Sequence, residues 1–198
     1  NPYELYNFSN EIGLVQDSNG KFFYINKSGK MLSELYQFAY PFSEGLAIVI
    51  IENKISVINA SFEVLFELPV KPAFQDNNYG EQFSGGLLPI KNSEGKWGYI
   101  DNTGDLAIRP NFIYPGKFNG NYAYTRTEDL DRNEWIIIDK SGATISTVEI
   151  PNFDFPEYHI SIYDSFIIFN PERGVVVIRD IEDGTEKEVR VSKKSRDF

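Results

Sequence analysis

The sequence predicts an all-β protein of about five repeated antiparallel meanders, each with three or four strands, in a propeller-like arrangement. A short turn signal recurs along the 198 residues at offsets of 33, 42 and 38. Runs of β-branched and aromatic residues of strand length alternate with turn residues. No stretch shows sustained helical spacing or the capping residues of a long helix. An open solenoid of hairpins fits the same observations and is the alternative.

Two markers alternate along the chain and define the repeat. The first is a turn that follows an apolar strand, Ile100-Asp101-Asn102-Thr103-Gly104, with copies at 25–29, 58–62 and 138–142 and a weaker copy at 178–184. The second is Phe42-Ser43-Glu44-Gly45-Leu46, with copies at 83–87 and 118–122, and 8–14 is interpreted as the same element with one inserted residue. The order predicts a single domain, 1–198, with units at 8–35, 42–67, 83–109, 118–149 and 160–191.

The third unit shows how each meander is built. Leu87 to Lys91, Lys96 to Asp101 and Asp105 to Arg109 are predicted strands. In the turns between them, Asn92 and Asp101 accept backbone hydrogen bonds, and the closing glycine adopts the left-handed conformation of a bulged hairpin. Residues 36–40 and 111–114 are candidates for a short fourth strand at an edge, since prolines flank them.

The place of the first strand favours a closed ring. With the Trp-Gly strand taken as the start of each unit, the chain begins late in a unit and ends early in one. The N-terminal strand is then expected to complete the last unit, as in closed propellers. With the other division of the repeat every unit is whole, and no closure is implied.

The third unit resembles the bacterial WG repeat from Gly95 to Pro110, where Trp97-Gly98 supplies the residues that name the family. Phe42 to Ala47 resembles the second block of that family. Other pairs replace Trp-Gly elsewhere, namely Phe22-Phe23, Ile55-Ser56 and Trp135-Ile136. The resemblance implies a repeat scaffold and brings no catalytic motif with it.

A large apolar residue opens the middle strand of each unit and is expected to fill the space between neighbours. We call this position the slot; its occupants are Phe22, Ile55, Trp97, Trp135 and either Val175 or Val176. Because the slot accepts Phe and Ile, Trp97 is interpreted as core rather than as a platform for a sugar. Gly98 beside it is expected to let a neighbouring backbone or ring approach closely.

The composition excludes several classes of function. Nineteen Lys and Arg against 29 Asp and Glu give a net charge of −10, so neither nucleic acid nor an anionic membrane is an expected partner. The chain has no Cys and one His, which excludes thiolate and multi-histidine metal sites. The longest apolar runs, such as Leu46–Ile51, have strand length, so membrane insertion is not expected.

No motif builds a catalytic site. His159 lies in a linking segment without a nucleophile-elbow sequence nearby. Residues 129–134 begin like a calcium loop, but Glu134 and Lys140 stand where such a loop requires Gly and Glu. We therefore predict that the protein is not an enzyme and has no catalytic residue, cofactor or metal.

The predicted function is that of a non-catalytic scaffold that binds another protein in a bacterium, with an extracytoplasmic or cell-surface location favoured over the cytoplasm. The alternative is a carbohydrate or cell-wall binding module that uses exposed aromatic rings. Its candidate binding residues are tyrosines in irregular segments, Tyr79, Tyr114, Tyr122 and Tyr158. Tyrosines exposed on one face would favour the glycan, whereas buried or scattered ones would favour the protein partner.

Overall fold

The computed structural model of the chain describes residues 4–68, 82–129, 134–150, 160–172 and 174–190. Within these ranges the chain forms 17 strands and no helix, and the strands form five antiparallel sheets of three or four strands. The prediction of an all-β protein of repeated meanders is confirmed. No helix of the described ranges is long and apolar enough to cross a membrane.

The chain divides into two compact units, Asn1–Pro110 and Asn111–Phe198. In the first unit, sheet 1 consists of β1 (Glu4–Ser9), β2 (Ile12–Gln16) and β3 (Phe22–Asn26). Sheet 2 consists of β4 (Phe38–Ala39), β5 (Leu46–Ile51), β6 (Lys54–Asn59) and β7 (Val64–Glu67). Sheet 3 consists of β8 (Leu87–Lys91), β9 (Trp97–Asp101) and β10 (Leu106–Phe112), whose last strand crosses the unit boundary.

The second unit has two sheets. Sheet 4 consists of β11 (Tyr122–Thr125), β12 (Glu134–Asp139) and β13 (Thr144–Glu149). Sheet 5 consists of β14 (Ile160–Tyr163), β15 (Phe166–Phe169), β16 (Val175–Asp180) and β17 (Glu186–Arg190). In every sheet, strands that are consecutive in sequence are neighbours, as in a meander. The single domain predicted over 1–198 stays a prediction.

The strands of the third repeat agree closely with those predicted from the sequence. The predicted strands correspond to β8, β9 and β10, with β10 continuing to Phe112. Pro110 is accommodated because β10 is the edge strand of its sheet, where a missing N–H costs no ladder bond. Of the two candidate fourth strands, residues 36–40 contain β4, whereas the other contributes an isolated bridge between Tyr114 and Arg126.

Cross-strand pairs align the five repeats. The aligned pairs are Ile12 with Asn26, Leu46 with Asn59, Leu87 with Asp101, Tyr122 with Asp139, and Phe166 with Asp180. This register aligns residues 8–11 with residues 42–45 without a gap, so the predicted insertion at 8–14 is wrong. Asn10 and Glu11 both adopt positive φ, 45° and 70°, and form the two-residue turn that Glu44 and Gly45 form in sheet 2.

The expected pairing of the N-terminal strand, at 8–16, with the last unit is also wrong, because most of this stretch forms β2, which pairs with β1 and β3. β1 pairs with β2 through Leu5 with Val15 and Phe8 with Gly13, and sheet 5 has four strands of its own. The turn at Asn10 folds β1 back on its neighbour in sequence. A short hairpin of this kind costs less loop-closure entropy than pairing with a strand at the other end of the chain.

Each sheet has two faces, which we name from the strand that carries the slot residue. The forward face bears Tyr24 in sheet 1, Val57 in sheet 2, Ile137 in sheet 4 and Ile178 in sheet 5; the rear face bears the residue that follows each of these. Tyr24 shares a core cluster with Ala47 and Ile58 of the next sheet. Val57 shares one with Leu88 and Ile100. In the second unit, Ile137 shares one with Ile167. Forward faces therefore pack on rear faces within each unit.

The slot residues are core residues in four of the five sheets. Phe22, Ile55, Trp97 and Trp135 are buried, which confirms the interpretation of Trp97. The register gives the fifth slot to Val176, which is half-buried, while Val175 is buried on the opposite face. The close approach expected at Gly98 is also confirmed, because a Cβ there would lie 2.5 Å from the Ile108 carbonyl oxygen of β10.

Candidate functional site

The second sequence marker forms a latch between neighbouring sheets. The Ser43 hydroxyl donates a hydrogen bond of 2.7 Å to the Phe83 carbonyl, 40 residues further along the chain. The two carboxylate oxygens of Glu44 accept the N–H groups of Gly85 and Gly86, at 2.8 and 2.7 Å. The side chains of the marker loop in sheet 2 therefore bind the backbone of the equivalent loop in sheet 3.

The second unit has the same kind of contact at the equivalent position. The Asn119 side-chain amide donates a hydrogen bond of 2.7 Å to the Ile162 carbonyl in sheet 5. The aromatic residue that opens each of these loops is buried at Phe42, Phe83 and Phe118. The marker therefore has a structural role: one side chain fills the core and the next ties adjacent sheets together.

We expect Glu44→Ala to lower the free energy of unfolding by about 1–2 kcal/mol. The carboxylate accepts two N–H groups in charge-assisted hydrogen bonds, which raises the cost, whereas the exposure of Glu44 to solvent limits it. Urea unfolding of the purified protein measures the change. Glu34→Ala on an exposed residue without such a bond is the control. Equal effects of the two substitutions would show that the latch does not stabilise the protein.

The turn at the end of each middle strand is held by an Asn or Asp side chain, as the sequence predicts. The Asp101 carboxylate accepts the N–H groups of Thr103 and Asp105 and the Thr103 hydroxyl, the last at 2.6 Å. Gly104 closes the turn with a φ of 91°. The Thr103 hydroxyl and then the backbone donors hold the pKa of Asp101 below its usual range, and the Ser141 hydroxyl does the same for Asp139.

These carboxylates make stability depend on pH at the acid end. Their pKa is lower in the folded than in the unfolded chain, so the stabilisation is complete above about pH 4 and is lost as pH falls through the folded pKa values. We expect Asp101→Asn/Asp139→Asn to lose less stability between pH 7 and pH 3 than the wild type, measured from urea midpoints. Asn fits this turn, since Asn26 and Asn59 occupy it in sheets 1 and 2. An unchanged pH dependence would contradict the assignment.

A cation lies over the slot residue where that residue is Trp. The Lys91 ammonium lies 5.3 Å from the centroid of the Trp97 ring, and the Arg126 guanidinium lies 5.2 Å from that of Trp135. Lys91 is the cross-strand partner of Trp97. Lys91 and Arg126 occupy equivalent positions, each four residues beyond the aligned residue of its strand. The pairing covers the ring face with a charge and an alkyl chain.

The predicted binding tyrosines divide into two groups. Tyr79 and Tyr158 lie outside the described residues, as does His159. Tyr114 and Tyr122 are both half-buried and pack against the core of the second unit. The Tyr114 ring meets the Trp135 ring edge-on at 5.0 Å and stacks on Tyr124 at 5.9 Å.

The environment of Tyr122 is acidic. Partial burial and the nearby Glu182 carboxylate raise the pKa of its hydroxyl. The structure does not bring Tyr114 and Tyr122 together as an exposed pair of rings; both contribute to packing. Of the candidate calcium loop, Asp129 and Glu134 are described and the residues between them are not. Across the described ranges, no three His, Cys, Asp or Glu side chains are grouped so that they could hold a metal ion.

An exposed apolar side chain recurs at one position of the repeat in the first unit. Met31, Val64 and Leu106 occupy this position in the first three repeats, two residues past the residue that closes the turn, and they are 45%, 50% and 53% exposed. We call these three residues the apolar row. Sequence reasoning missed it because each residue reads as an ordinary strand residue. The available signal was the recurrence of an apolar residue at that position in three repeats.

Comparison with known proteins supports the repeat and the fold. The WG containing repeat matches residues 22–54 and 97–130, which confirms the resemblance at these two stretches. No curated protein matches the chain significantly. The propeller-like arrangement is supported by solved structures of WD40 and related β-proteins.

Three of these structures are similar to the chain at low sequence identity. BamB from Moraxella catarrhalis is 13% identical, with a TM-score of 0.51 over 91% of this chain and 61% of that one. The Neurospora crassa Pan2 WD40 domain is 12% identical, with a TM-score of 0.52 over 96% and 65%. Virginiamycin B lyase from Staphylococcus aureus is 16% identical, with a TM-score of 0.50 over 98% and 71%. The chain spans about three fifths of the BamB structure, and these likenesses show the fold alone.

Proposed function

We propose that the protein is a non-catalytic scaffold that binds another protein through the outer strands of its repeats. The observation that carries the proposal is the apolar row, Met31, Val64 and Leu106. This position is apolar and about half exposed in three consecutive repeats. Exposed apolar side chains that recur in this way favour contact with a protein surface.

The chemistry of the row favours a protein over a glycan. Its side chains are aliphatic or thioether and offer no flat ring on which a sugar could stack. Tyr114 and Tyr122 both pack against the core of the second unit, and the Tyr114 ring stacks on Tyr124. The glycan alternative therefore depends on Tyr79 and Tyr158. The absence of a catalytic motif in the repeat supports a non-catalytic role, and the likeness to virginiamycin B lyase extends to the fold only.

The test replaces Leu106 with a photo-crosslinking amino acid and irradiates the folded protein in a bacterial extract. We expect adducts that protease removes and glycosidases do not. The adducts should be lost when Val64→Thr and Met31→Gln are added, and the identified protein, once purified, should bind the wild type more tightly than that variant. Thr suits the position, because Thr144 occupies it in sheet 4.

The control is Ile145→Thr, which removes an exposed apolar side chain outside the row. It should leave the adducts and the affinity unchanged. Adducts that survive loss of the row, or that only glycosidases remove, would contradict the proposal.

A further inference from the structure

The first and last sheets differ from the inner sheets in burial. In β6, β9 and β12 four consecutive residues are buried, so both faces of those strands are covered. In β16 burial alternates, with Val175 and Val177 buried and Val176 and Ile178 only half-buried. β3 alternates as well. Sheet 5 therefore has one covered face and one open face. Sheet 1 has one covered face and one that is open along β1 and β3, while Val15 of β2 between them is buried.

The open face of sheet 5 is its forward face, which carries six apolar residues together with the charged residues Asp180 and Lys187. Cross-strand pairing places Tyr163 with Phe166, Ile168 with Ile178, and Val176 with Val189 on this face. Tyr163, Phe166 and Val189 are 60%, 44% and 40% exposed, and the other three are half-buried. Exposed apolar residues on all four strands of a sheet favour contact with another protein surface.

The open face of sheet 1 is its rear face, and it is apolar too. Leu5 pairs with Val15, which pairs with Phe23, and Gly13 pairs with both Phe8 and Ile25, so these residues share the face. Leu5 and Phe8 are 60% and 40% exposed. The Phe8 ring lies over Gly13, where a Cβ would come within 2.7 Å of it.

The interfaces inside each unit indicate what covers these faces. Every one of them joins the forward face of a sheet to the rear face of the next, as sheets 1 and 2, 2 and 3, and 4 and 5 show. The open forward face of sheet 5 and the open rear face of sheet 1 are the two halves of the same kind of interface. We infer that sheet 5 of one copy packs on sheet 1 of a second copy, so that the protein associates head to tail.

The latch position supports the same occupant. Asp164 lies where Glu44 lies in sheet 2, with a nearly identical φ of 51° against 52°. In sheet 1, Asn10 and Glu11 occupy the positions of Gly85 and Gly86, whose N–H groups bind Glu44. The Asp164 carboxylate then accepts the Asn10 and Glu11 N–H groups of the second copy. A heterologous contact of this kind can continue from copy to copy.

The inference does not rest on the proposed function, since it uses neither Val64 nor Leu106. Sedimentation velocity over a range of protein concentrations tests it. The wild type is expected to form dimers and larger species as concentration rises. A forward variant, Phe166→Lys/Val189→Lys, and a rear variant, Leu5→Lys/Phe8→Lys, should each remain monomeric. All four residues are substantially exposed, and circular dichroism confirms that the variants are folded.

Mixing the two variants is the decisive step. Each retains one intact face, so an equimolar mixture should form a one-to-one dimer and nothing larger. Asp164→Asn should weaken the wild-type association several-fold, while Ile145→Lys on exposed sheet 4 surface should leave it unchanged. A wild type that stays monomeric, a mixture that stays monomeric, or a single variant that still dimerises through one face would overturn the inference.

Discussion

Replacing Trp97 with alanine is expected to lower the free energy of unfolding by about 3–5 kcal/mol, the usual cost of truncating a core aromatic residue. Trp97 is only 5% exposed, and its ring also carries the Lys91 ammonium at 5.3 Å. The substitution removes the buried surface of the ring and leaves a cavity at the slot. It also removes the ring over which the Lys91 ammonium lies. Urea unfolding followed by circular dichroism measures the loss.

Trp97→Phe is the matched control, because Phe22 occupies the same slot in sheet 1. It keeps an aromatic ring in place and should cost clearly less than alanine. A Trp97→Ala protein that is as stable as the wild type but has lost a binding activity would overturn the assignment of Trp97 to the core. It would favour a ring that stacks on a ligand instead.

Gly98→Ala is expected to cost about 1–3 kcal/mol or more, the range for forcing extra atoms into a packed interior. The new Cβ would lie 2.5 Å from the Ile108 carbonyl oxygen and 2.6 Å from the Pro110 nitrogen. Both are backbone atoms of β10, so the strand itself must move. In sheet 2 the equivalent residue is Ser56, so the repeat itself does not require glycine at this position.

Gly13→Ala makes the same chemical change against a different neighbour. There the Cβ would meet the Phe8 ring at 2.7 Å, and this ring is a side chain that is 40% exposed, whereas the neighbours of Gly98 are backbone atoms. We therefore expect a smaller loss of stability than at Gly98 in parallel thermal unfolding. If the two substitutions cost the same, backbone contact with β10 is not what requires glycine at position 98.

Much of the fold could be predicted because its signals are local. Asp101 and Gly104 fix a turn within five residues, and the flanking apolar runs fix the strands on either side. Trp97 could be assigned to the core because Phe and Ile fill the same slot in other repeats. Each of these inferences compares a residue with its near neighbours or with an equivalent position.

What failed depended on contacts between distant residues or on unusual backbone. Glu44 adopts a positive φ that non-glycine residues seldom take, and its partners are the N–H groups of Gly85 and Gly86, which no side-chain pattern reveals. Asn10 and Glu11 form the same turn without glycine, so the sequence pattern alone suggests an insertion there.

The candidate tyrosines show the same limit. Tyr114 and Tyr122 lie in irregular or short segments, which suggests exposure. Their burial depends on Trp135 and on the strands of the second unit that pack over them. Sequence spacing carries no information about which ring meets which across a sheet interface, so these contacts could be found only in three dimensions.

Hydrogen exchange at the latch reports local opening between sheets 2 and 3. The amide protons of Gly85 and Gly86 are bound to a carboxylate on a neighbouring sheet, so their exchange with solvent deuterium requires the two sheets to separate or Glu44 to let go. Glu44→Gln would speed exchange at these two amides, whereas amides within the β5–β6 ladder would keep their rates. The ratio of the two rates reports how often the contact between Glu44 and these two amides opens without unfolding of the sheet.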